Sequence, residues 1–204
     1  MGVRALSHRG VFLDRDGVIN RAVVREGKPY PPATLEELEL LPGVADAMRR
    51  LYAADFRLVV VTNQPDVARG KQTRAAVEAM HEKLLRLGLP IEAFYVCYHD
   101  GAEQCDCRKP RPGMLLAAGR DLFLDLDLSY MIGDRWRDIE AGQRAGCSTI
   151  FLDYDYDEPK PQPPFVAVGS LAEAADVILG GVATQFSYET YTRPAGEDLR
   201  GWRE

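Results

Sequence analysis

Short apolar runs alternate with segments of helical periodicity along most of the chain. The runs are rich in β-branched and aromatic residues, and they are Val11–Leu13, Leu58–Val61, Phe94–Cys97, Tyr130–Ile132 and Thr149–Leu152. Continuous apolar runs of this length are typical of strands that are buried on both faces of a parallel sheet. We therefore predict that each run forms a strand of one sheet.

Stripes of apolar residues lie between the runs, at the spacing that places them on one face of a helix. The stripes are Val44, Ala47, Met48 and Leu51; Val77, Met80, Leu84 and Leu87; and Leu115, Leu116, Ala118 and Leu122. Strands that alternate with helices of this length form βαβ units, which predicts an α/β fold. We expect a three-layer, Rossmann-like parallel sheet with helices on both of its faces.

The last part of the chain departs from this pattern. "VAVGSLAEAADVIL" predicts one more strand and helix, with Ser170 as the N-cap and Glu173 at the capping-box position. The Pro-rich stretch at 153–165 is expected to be an extended loop. We predict one domain over residues 1–180 and a loosely attached tail over residues 181–204. Docking of the aromatic tail against the domain or a partner is the alternative.

Composition restricts the classes of function. The 204 residues carry a formal net charge of −6, and 46% of them are hydrophobic. An acidic chain is unsuited to a general nucleic-acid or membrane-surface role. No apolar stretch approaches the roughly 20 residues that span a bilayer, and the charged N-terminus does not resemble a secretory signal. We expect a cytoplasmic protein without nucleic-acid or membrane partners, and a monomer by default.

Polar side chains follow several of the apolar runs directly. Asp14 and Asp16 come after the first run, Thr62 and Asn63 end the second, and Asp134 follows the fourth. Ligands of open α/β sheets bind outside the carboxyl ends of the strands, so these residues should converge. Positions i and i+2 of an extended segment face the same way, which lets Asp14 and Asp16 share one cavity. Paired carboxylates suit divalent-metal binding or acid–base catalysis, although Asp and Gly are also common in ordinary turns.

Four segments form a specific set when they are taken together, namely "LDRDG", "VVVTN", "RKP" and "IGDRWRD". In these motifs and their order, the sequence resembles the haloacid dehalogenase superfamily of phosphatases over roughly residues 10–180. The segments between the motifs are too short for a large cap domain, so the resemblance is to the capless type of subfamily III.

The resemblance implies a Mg²⁺-dependent phosphomonoester hydrolase that works through an aspartyl-phosphate intermediate. Asp14 would be the nucleophile, and Asp16 would act as general acid and then as general base. Thr62, the Asn63 backbone and Lys109 would stabilise the transferring phosphoryl group. The implied Mg²⁺ ligands are Asp14, the Asp16 backbone carbonyl and Asp134. Asp138 would orient the site from behind these ligands.

"CYHDGAEQCDC" (97–107) brings three cysteines and one histidine together. Four such ligands make a closed tetrahedral set for Zn²⁺, which is structural because no position remains for water. Three buried, reduced cysteines are the alternative, but the segment is polar and contains glycine. We predict a zinc-stabilised loop with the ligands Cys97, His99, Cys105 and Cys107. We expect Cys147 in the core, and His8 and His81 on the surface.

Basic residues collect in the segments that should form the rim of the site. They are Arg15, Arg21, Arg25, Lys28, Arg69, Lys71, Arg108, Arg111, Arg135 and Arg137. A cationic rim on an acidic protein suits a small phosphorylated metabolite. The predicted substrate-binding residues are Arg108, Arg135, Arg25 and Asn63, and Arg108 is the first candidate for holding a second phosphate because arginine binds phosphate bidentately.

Two groups of the family share the zinc loop. "VVVTNQPDVARGK" and "CDCRKPRPGMLLAA" look more like D-glycero-D-manno-heptose 1,7-bisphosphate 7-phosphatases, whereas the short spacing from His99 to Cys105 is more similar to histidinol-phosphate phosphatases. We expect removal of the 7-phosphate of the heptose bisphosphate. The alternatives are a histidinol-phosphate phosphatase, a broad small-metabolite phosphatase, and a phospho-receiver or binding module. The segment after Asn20, which should contact the leaving group, departs from the usual form of both groups.

Overall fold

The computed structural model describes residues 8–102 and 104–180, so the predicted tail at 181–204 lies outside the described residues. In chain order the elements are β1 (His8–Leu13), β2 (Val23–Arg25), β3 (Lys28–Tyr30), α1 (Val44–Ala53), β4 (Phe56–Asn63), α2 (Arg74–Arg86), β5 (Ala93–Cys97), α3 (Gly113–Asp121), β6 (Leu124–Gly133), α4 (Trp136–Ala145), β7 (Ser148–Leu152), β8 (Val166–Val168) and α5 (Leu171–Leu179).

Six strands form one sheet in the order β5-β4-β1-β6-β7-β8. Every neighbouring pair runs parallel, so the carboxyl ends of all six strands lie at the same edge. After β1 the chain builds the sheet outwards through β4 and β5, and it then returns to the other side of β1 with β6. The strand order therefore reverses between β1 and β6, which is where open α/β sheets bind their ligands.

Alternate residues of the central strands pack into two separate clusters. Val11 and Leu13 of β1 join the cluster that contains the buried residues of α1, α2 and α5. Phe12 joins a second cluster with the buried residues of α3 and α4. Burial on both faces explains why these strands are continuous apolar runs in the sequence. The predicted three-layer α/β fold is confirmed.

The largest insertion at the carboxyl edge is a small antiparallel hairpin of β2 and β3, which we call the flap hairpin. It lies between β1 and α1 in the chain, and in the described residues no inserted segment is large enough to form a cap domain. Within residues 8–102 and 104–180, no helix has the length and apolar character that a membrane crossing needs.

The environment differs from the expected one at three positions, two of which, Leu87 and Leu116, were expected to be buried from helical periodicity. Leu87 caps the C-terminus of α2 and is 50% exposed, because the backbone has left the helix there. Leu116 is 40% exposed, since it neighbours the buried Leu115 and adjacent helical residues cannot both face the sheet. His81, expected on the surface, is buried on α2. The prediction for Cys147 is confirmed, because that thiol lies in the core.

A matched pair of leucines on α2 tests this packing. Leu84→Ala empties a buried position and is expected to lower the free energy of unfolding by about 2–5 kcal/mol. Leu87→Ala removes the same atoms from an exposed position, so its effect should stay within about 0.5 kcal/mol. Urea-induced unfolding followed by circular dichroism measures both values, and equal losses in the two variants would contradict the described end of α2.

Candidate active site

The carboxyl ends of β1 and β6 carry the two aspartates around which the site is built. Asp14 follows β1 directly, and Asp134 follows the last residue of β6. The backbone N–H of Asp14 donates to the carbonyl of Ile132 at 3.0 Å, so the two strand ends are held side by side. The predicted convergence of Asp14 and Asp134 at the point where the strand order reverses is therefore present.

Lys109 holds two carboxylates from a buried position. Its Nζ lies 3.0 Å from Asp14 Oδ1 and 2.6 Å from Asp138 Oδ1, and it donates to the carbonyl of Val61 at 2.7 Å. Burial by itself disfavours the ammonium, but the charges of Asp138 and Asp14 outweigh it and raise the pKa of Lys109. Asn63 braces the Lys109 backbone through two hydrogen bonds of 3.1 Å, one in each direction.

Asp14 is a carboxylate with perturbed acidity. Burial raises its pKa to about 6 against the opposing charge of Lys109, and the charges of Asp138 and Asp16 add to the rise. A further positive charge beside Asp14 would favour its ionised form. The ionised form is the one that can attack an electrophile.

Asp134 is buried without a cation to pair with among the described residues, and the Tyr156 hydroxyl lies beside it. Within the described residues, neither of its oxygens accepts a hydrogen bond of good geometry. Burial, together with the charges of Asp14 and Asp138, raises the pKa of Asp134 well above its usual range. Gly17 makes this position possible, because a Cβ at residue 17 would lie 1.9 Å from Asp134 Oδ2.

The charges at this edge do not balance by themselves. The ionisable groups are Asp14, Asp16, Asp134 and Asp138 against the two cations Arg15 and Lys109. Oxygens of Asp14, Asp134 and Asp138 all lie within 4.8 Å of one another. Asp138 already binds Lys109 and accepts from the Arg135 N–H at 3.0 Å. The free oxygens of Asp134, next to Asp14, therefore fit a hard divalent cation such as Mg²⁺.

Arg15 was expected at the rim, but it is fully buried and supports Asp16. Its Nε and Nη2 donate to the two oxygens of Asp16, each at 3.0 Å. Asp16 also accepts from Asn20 Nδ2 at 3.0 Å and from Gln64 Nε2 at 2.8 Å. Burial would raise the pKa of Asp16, but Arg15 and these hydrogen bonds lower it. Asp16 is thus kept as an ionised carboxylate at the edge of the cavity.

His81 completes the surroundings of Arg15. It was expected on the surface, and that prediction is wrong because the side chain is buried. Its Nε2 lies 3.3 Å from Arg15 Nη1, and its ring stacks on Phe94 with centroids 4.3 Å apart. Burial and the neighbouring Arg15 lower the pKa of His81 to about 4. The available signal was its position four residues after Val77, on the face of α2 that carries the buried residues.

A cavity of about 240 Å³ opens above Asp14 and Asp16. The flap hairpin contributes Lys28, Pro29 and Tyr30 to its wall. The basic residues that line the cavity are Lys28, Arg69, Arg108, Lys109, Arg135 and Arg137. Six acidic residues line the same cavity, so the charges are equal in number. The acids around Asp14 lie at the strand ends, and the arginines of the wall are the groups that could bind an anion.

The predicted substrate-binding residues differ in their placement. Arg108 lines the cavity and donates to the carbonyl of His99 at 3.0 Å. Arg135 lines it too, and it forms an ion pair with Glu158 from the Pro-rich loop. Arg25 is on the flap hairpin with its guanidinium 5.9 Å from the Tyr30 ring, and it does not line the cavity.

Two further contacts complete this part of the site. Thr62 is buried and accepts a hydrogen bond from Gln64 at 2.9 Å, and it is not part of the cavity wall.

The Pro-rich loop also reaches the flap hairpin, because the N–H of Asp157 donates to the carbonyl of Gly27 at 2.8 Å. The sequence offered no signal for the pairing of Glu158 with Arg135, since the two residues lie in separate segments.

The four predicted zinc ligands lie together at the end of β5. One ligand atom from each of Cys97, His99, Cys105 and Cys107 lies within 4.8 Å of all the others, and the sulfurs of Cys97 and Cys105 are 3.8 Å apart. A tetrahedral site with Zn–S bonds of about 2.3 Å has sulfurs separated by about 3.8 Å. The sulfurs of Cys97 and Cys107 lie closer, at 3.1 Å, and the donor set of three thiols and one imidazole is compatible with zinc. His99 faces the cluster with Nδ1, which lies 3.2 Å from the Cys107 sulfur.

Comparison with known proteins agrees with this geometry. Residues 106–174 match the family model described as HAD-hydrolase-like. The D-glycero-beta-D-manno-heptose-1,7-bisphosphate 7-phosphatase of Escherichia coli (strain K12) is 40% identical over 159 residues, which are 72% of this chain and 80% of that protein. The chain therefore belongs to the haloacid dehalogenase-like phosphatases.

More distant similarity points to the same group of relatives. The protein of the same name from Yersinia pestis is 36% identical over 184 residues, or 85% of this chain and 90% of that protein. The crystal structure of D,D-heptose 1,7-bisphosphate phosphatase from B. bronchiseptica, complexed with magnesium and phosphate, has a TM-score of 0.74 at 30% identity. It is matched over 84% of this chain and 98% of that chain.

The buried imidazole makes a prediction about stability and pH. In the unfolded chain His81 titrates near its usual value of about 6.5, whereas its pKa in the folded protein is about 4. Between these values the unfolded state takes up a proton that the folded state does not. The wild type should therefore lose up to about 3 kcal/mol of stability between pH 7 and pH 4 through this residue.

His81→Phe removes this titration and serves as the reference. Urea-induced unfolding of both proteins at a series of pH values measures the difference in their free energies of unfolding. The free energy of unfolding of the wild type should decrease relative to that of His81→Phe as the pH falls. A difference that stays constant with pH would contradict the lowered pKa of His81.

Proposed function

We propose that the chain removes the 7-phosphate of D-glycero-D-manno-heptose 1,7-bisphosphate through an aspartyl-phosphate intermediate. The observation that carries this proposal is the cavity in which a buried carboxylate, Asp14, lies below Arg108 and Arg137, two wall arginines that form no ion pair with a described residue. The relatives described above are named as 7-phosphatases of this bisphosphate, and their similarity to the chain supports the same substrate.

Asp14 is the proposed nucleophile. Its carboxylate attacks phosphorus, the bond to the sugar oxygen breaks, and water later cleaves the aspartyl-phosphate. Lys109 stays within 3.0 Å of Asp14, so its positive charge lies beside the negative charge that moves onto the phosphoryl oxygens. Asp138, on the other side of Lys109, fixes the ammonium in that place.

Asp14, Asp134 and the backbone carbonyl of Asp16 are the proposed Mg²⁺ ligands. When bound, Mg²⁺ supplies the positive charge that lets an anionic carboxylate approach an anionic phosphate. The position of Asp134 supports this assignment, because no described cation pairs with this buried carboxylate and burial of an uncompensated charge is costly.

Asp16 is the proposed proton carrier between the leaving oxygen and water. Arg15 lowers the pKa of Asp16 and keeps it ionised in the free protein. The negative charges of the substrate's phosphate and of the leaving oxygen act in the opposite direction, and they raise the proton affinity of Asp16 during the reaction. The same carboxylate can then donate to the leaving oxygen and accept from the attacking water.

The second phosphate of the substrate is assigned to the arginines of the cavity wall. Arg108 is positioned by the carbonyl of His99, and its neighbour Arg137 forms no ion pair with a described residue. Burial and the charges of Arg135 and Arg108 lower the pKa of Arg137, and all three arginines line the same cavity. An anion placed between them would relieve their mutual repulsion. A role for Arg25 in substrate binding stays a prediction.

Zinc is proposed to stabilise the loop that carries Arg108 and Lys109. The loop runs from Cys97 to Cys107, directly before these two residues. Its ligand His99 also supplies the carbonyl that holds Arg108. A fixed zinc cluster would therefore position both cations with respect to Asp14.

Histidinol phosphate is the main alternative substrate, and it would need carboxylates for its amine and imidazole. The acids that line the cavity, apart from those around Asp14, are Asp66 and Glu158, and each pairs with an arginine. Glu26, in the turn of the flap hairpin, and Glu36, in the segment that follows it, do not line the cavity. The described cavity therefore favours an anionic substrate.

A side-by-side kinetic comparison tests the proposed substrate. The wild type with Mg²⁺ should release phosphate from the heptose 1,7-bisphosphate with a kcat/KM at least about 100-fold above that for histidinol phosphate or simple alkyl phosphates. Asp14→Asn should bring release below detection with the fold intact, whereas Asp46→Asn, on the exposed face of α1, should match the wild type. Equal rates on all esters would favour a broad phosphatase. Phosphorylation of Asp14 without turnover would favour a phospho-receiver, and either result would overturn the proposal.

The zinc site has its own test. Protein purified without added metal should contain about one equivalent of zinc by elemental analysis. Cys107→Ser should lose the metal, and Cys147→Ser, at a cysteine outside the cluster, should keep it. Wild-type protein that lacks zinc, with all of its cluster thiols open to titration, would contradict the proposed site.

A further inference from the structure

The buried guanidinium of Arg15 has a second anchor besides Asp16. Arg15 is fully buried, and its Nε and Nη2 donate to Asp16. Its third nitrogen, Nη1, points to Nε2 of His81 at 3.3 Å. A buried guanidinium keeps one orientation when acceptors surround it on more than one edge.

The protonation state of His81 follows from this contact. The guanidinium carries hydrogens on every nitrogen and can only donate, so Nε2 of His81 must accept. The imidazole is then neutral and carries its proton on Nδ1. The lowered pKa of His81 agrees with a neutral ring. Stacking on Phe94, with an interplanar angle of 18°, fixes the plane in which Nε2 presents its lone pair.

We propose that His81 is a positioning residue of the phosphatase reaction, because it holds Arg15 in the orientation that presents Asp16 to the cavity. This inference rests on the proposed role of Asp16 in proton transfer. His81 belongs to α2, whereas Arg15 and Asp16 follow β1, so the contact ties the proton carrier to a helix that contributes no residue to the cavity wall.

The orientation of the Asp16 carboxylate depends more on the guanidinium of Arg15 than on the other donors around it. Asn20 and Gln64 donate to Asp16 through flexible side chains, whereas Arg15 binds both of its oxygens at once. A planar guanidinium that binds both oxygens of a carboxylate fixes the plane of that carboxylate. Without the acceptor at His81, the Arg15 guanidinium loses its second anchor. The guanidinium and the Asp16 carboxylate bound to it can then turn together away from the direction of the substrate.

Two substitutions separate this role from simple packing. His81→Phe keeps the ring and its stacking on Phe94 but offers no acceptor, and it should lower kcat about tenfold with KM changed by less than about threefold. His81→Gln has an amide oxygen that can reach the place of Nε2, so it should recover most of the loss. A packing role predicts the reverse order, because Phe fills the site better than Gln.

Controls separate this test from that of the proposed function. Glu78→Gln, on the exposed side of α2, should retain the wild-type kcat. If the wild type does not hydrolyse heptose 1,7-bisphosphate, the proposed function fails, and the variants are then compared on whichever phosphate ester the wild type does hydrolyse. A kcat for His81→Phe within about twofold of the wild type, or a Gln variant no better than Phe, would overturn the inference.

A measurement on the wild type covers the case in which the variants do not fold. Nitrogen-15 NMR of the histidine ring distinguishes the two neutral tautomers and the imidazolium. At neutral pH we expect His81 as the tautomer with its proton on Nδ1 and none on Nε2. A proton on Nε2 would leave Arg15 without this acceptor, and the inference would fail.

Discussion

The ammonium of Lys109 between two buried carboxylates is the interaction on which the rest of the site depends. Asp14 and Asp138 are buried close together, and the ammonium between them offsets the cost of placing two carboxylates there. Lys109 in turn needs the carbonyl of Val61 and the brace from Asn63. The ends of β1 and β4, the start of α4 and the loop after β5 are therefore joined through one side chain.

The zinc cluster and the carboxylate cluster act on the same short segment from opposite ends. Cys107, Arg108 and Lys109 are consecutive, so a ligand of the proposed zinc site, a cation of the cavity wall and the central ammonium share one stretch of backbone. The loop contains few apolar residues, so zinc bound at the proposed site would take over the stabilising role that a hydrophobic core has elsewhere. This arrangement explains why a structural site lies so close to a catalytic one.

The sequence predicts those parts of the molecule that depend on local pattern. Apolar runs identify the central strands, because burial on both faces demands them, and strand ends point to Asp14 and Asp134. Lys109 lies in a loop and was expected only from the motif that resembles the family. Side-chain partners across the fold could not be predicted in this way. The sequence analysis placed Arg15 at the rim and His81 on the surface, because a charged or titratable residue is usually exposed unless a partner from another element is known.

The hydrogen bond between Asp157 and Gly27 has a consequence for how specificity can change. The flap hairpin lines the cavity through Lys28 and Tyr30, while the loop after β7 supplies Glu158 to neutralise Arg135. These two segments lie far apart in sequence, but they meet through this backbone bond, and a Cβ at Gly27 would lie 3.0 Å from that of Asp157. The wall of the cavity is thus shared between two distant stretches of sequence, and transfer of the flap hairpin alone into a relative would leave the other part of that wall behind.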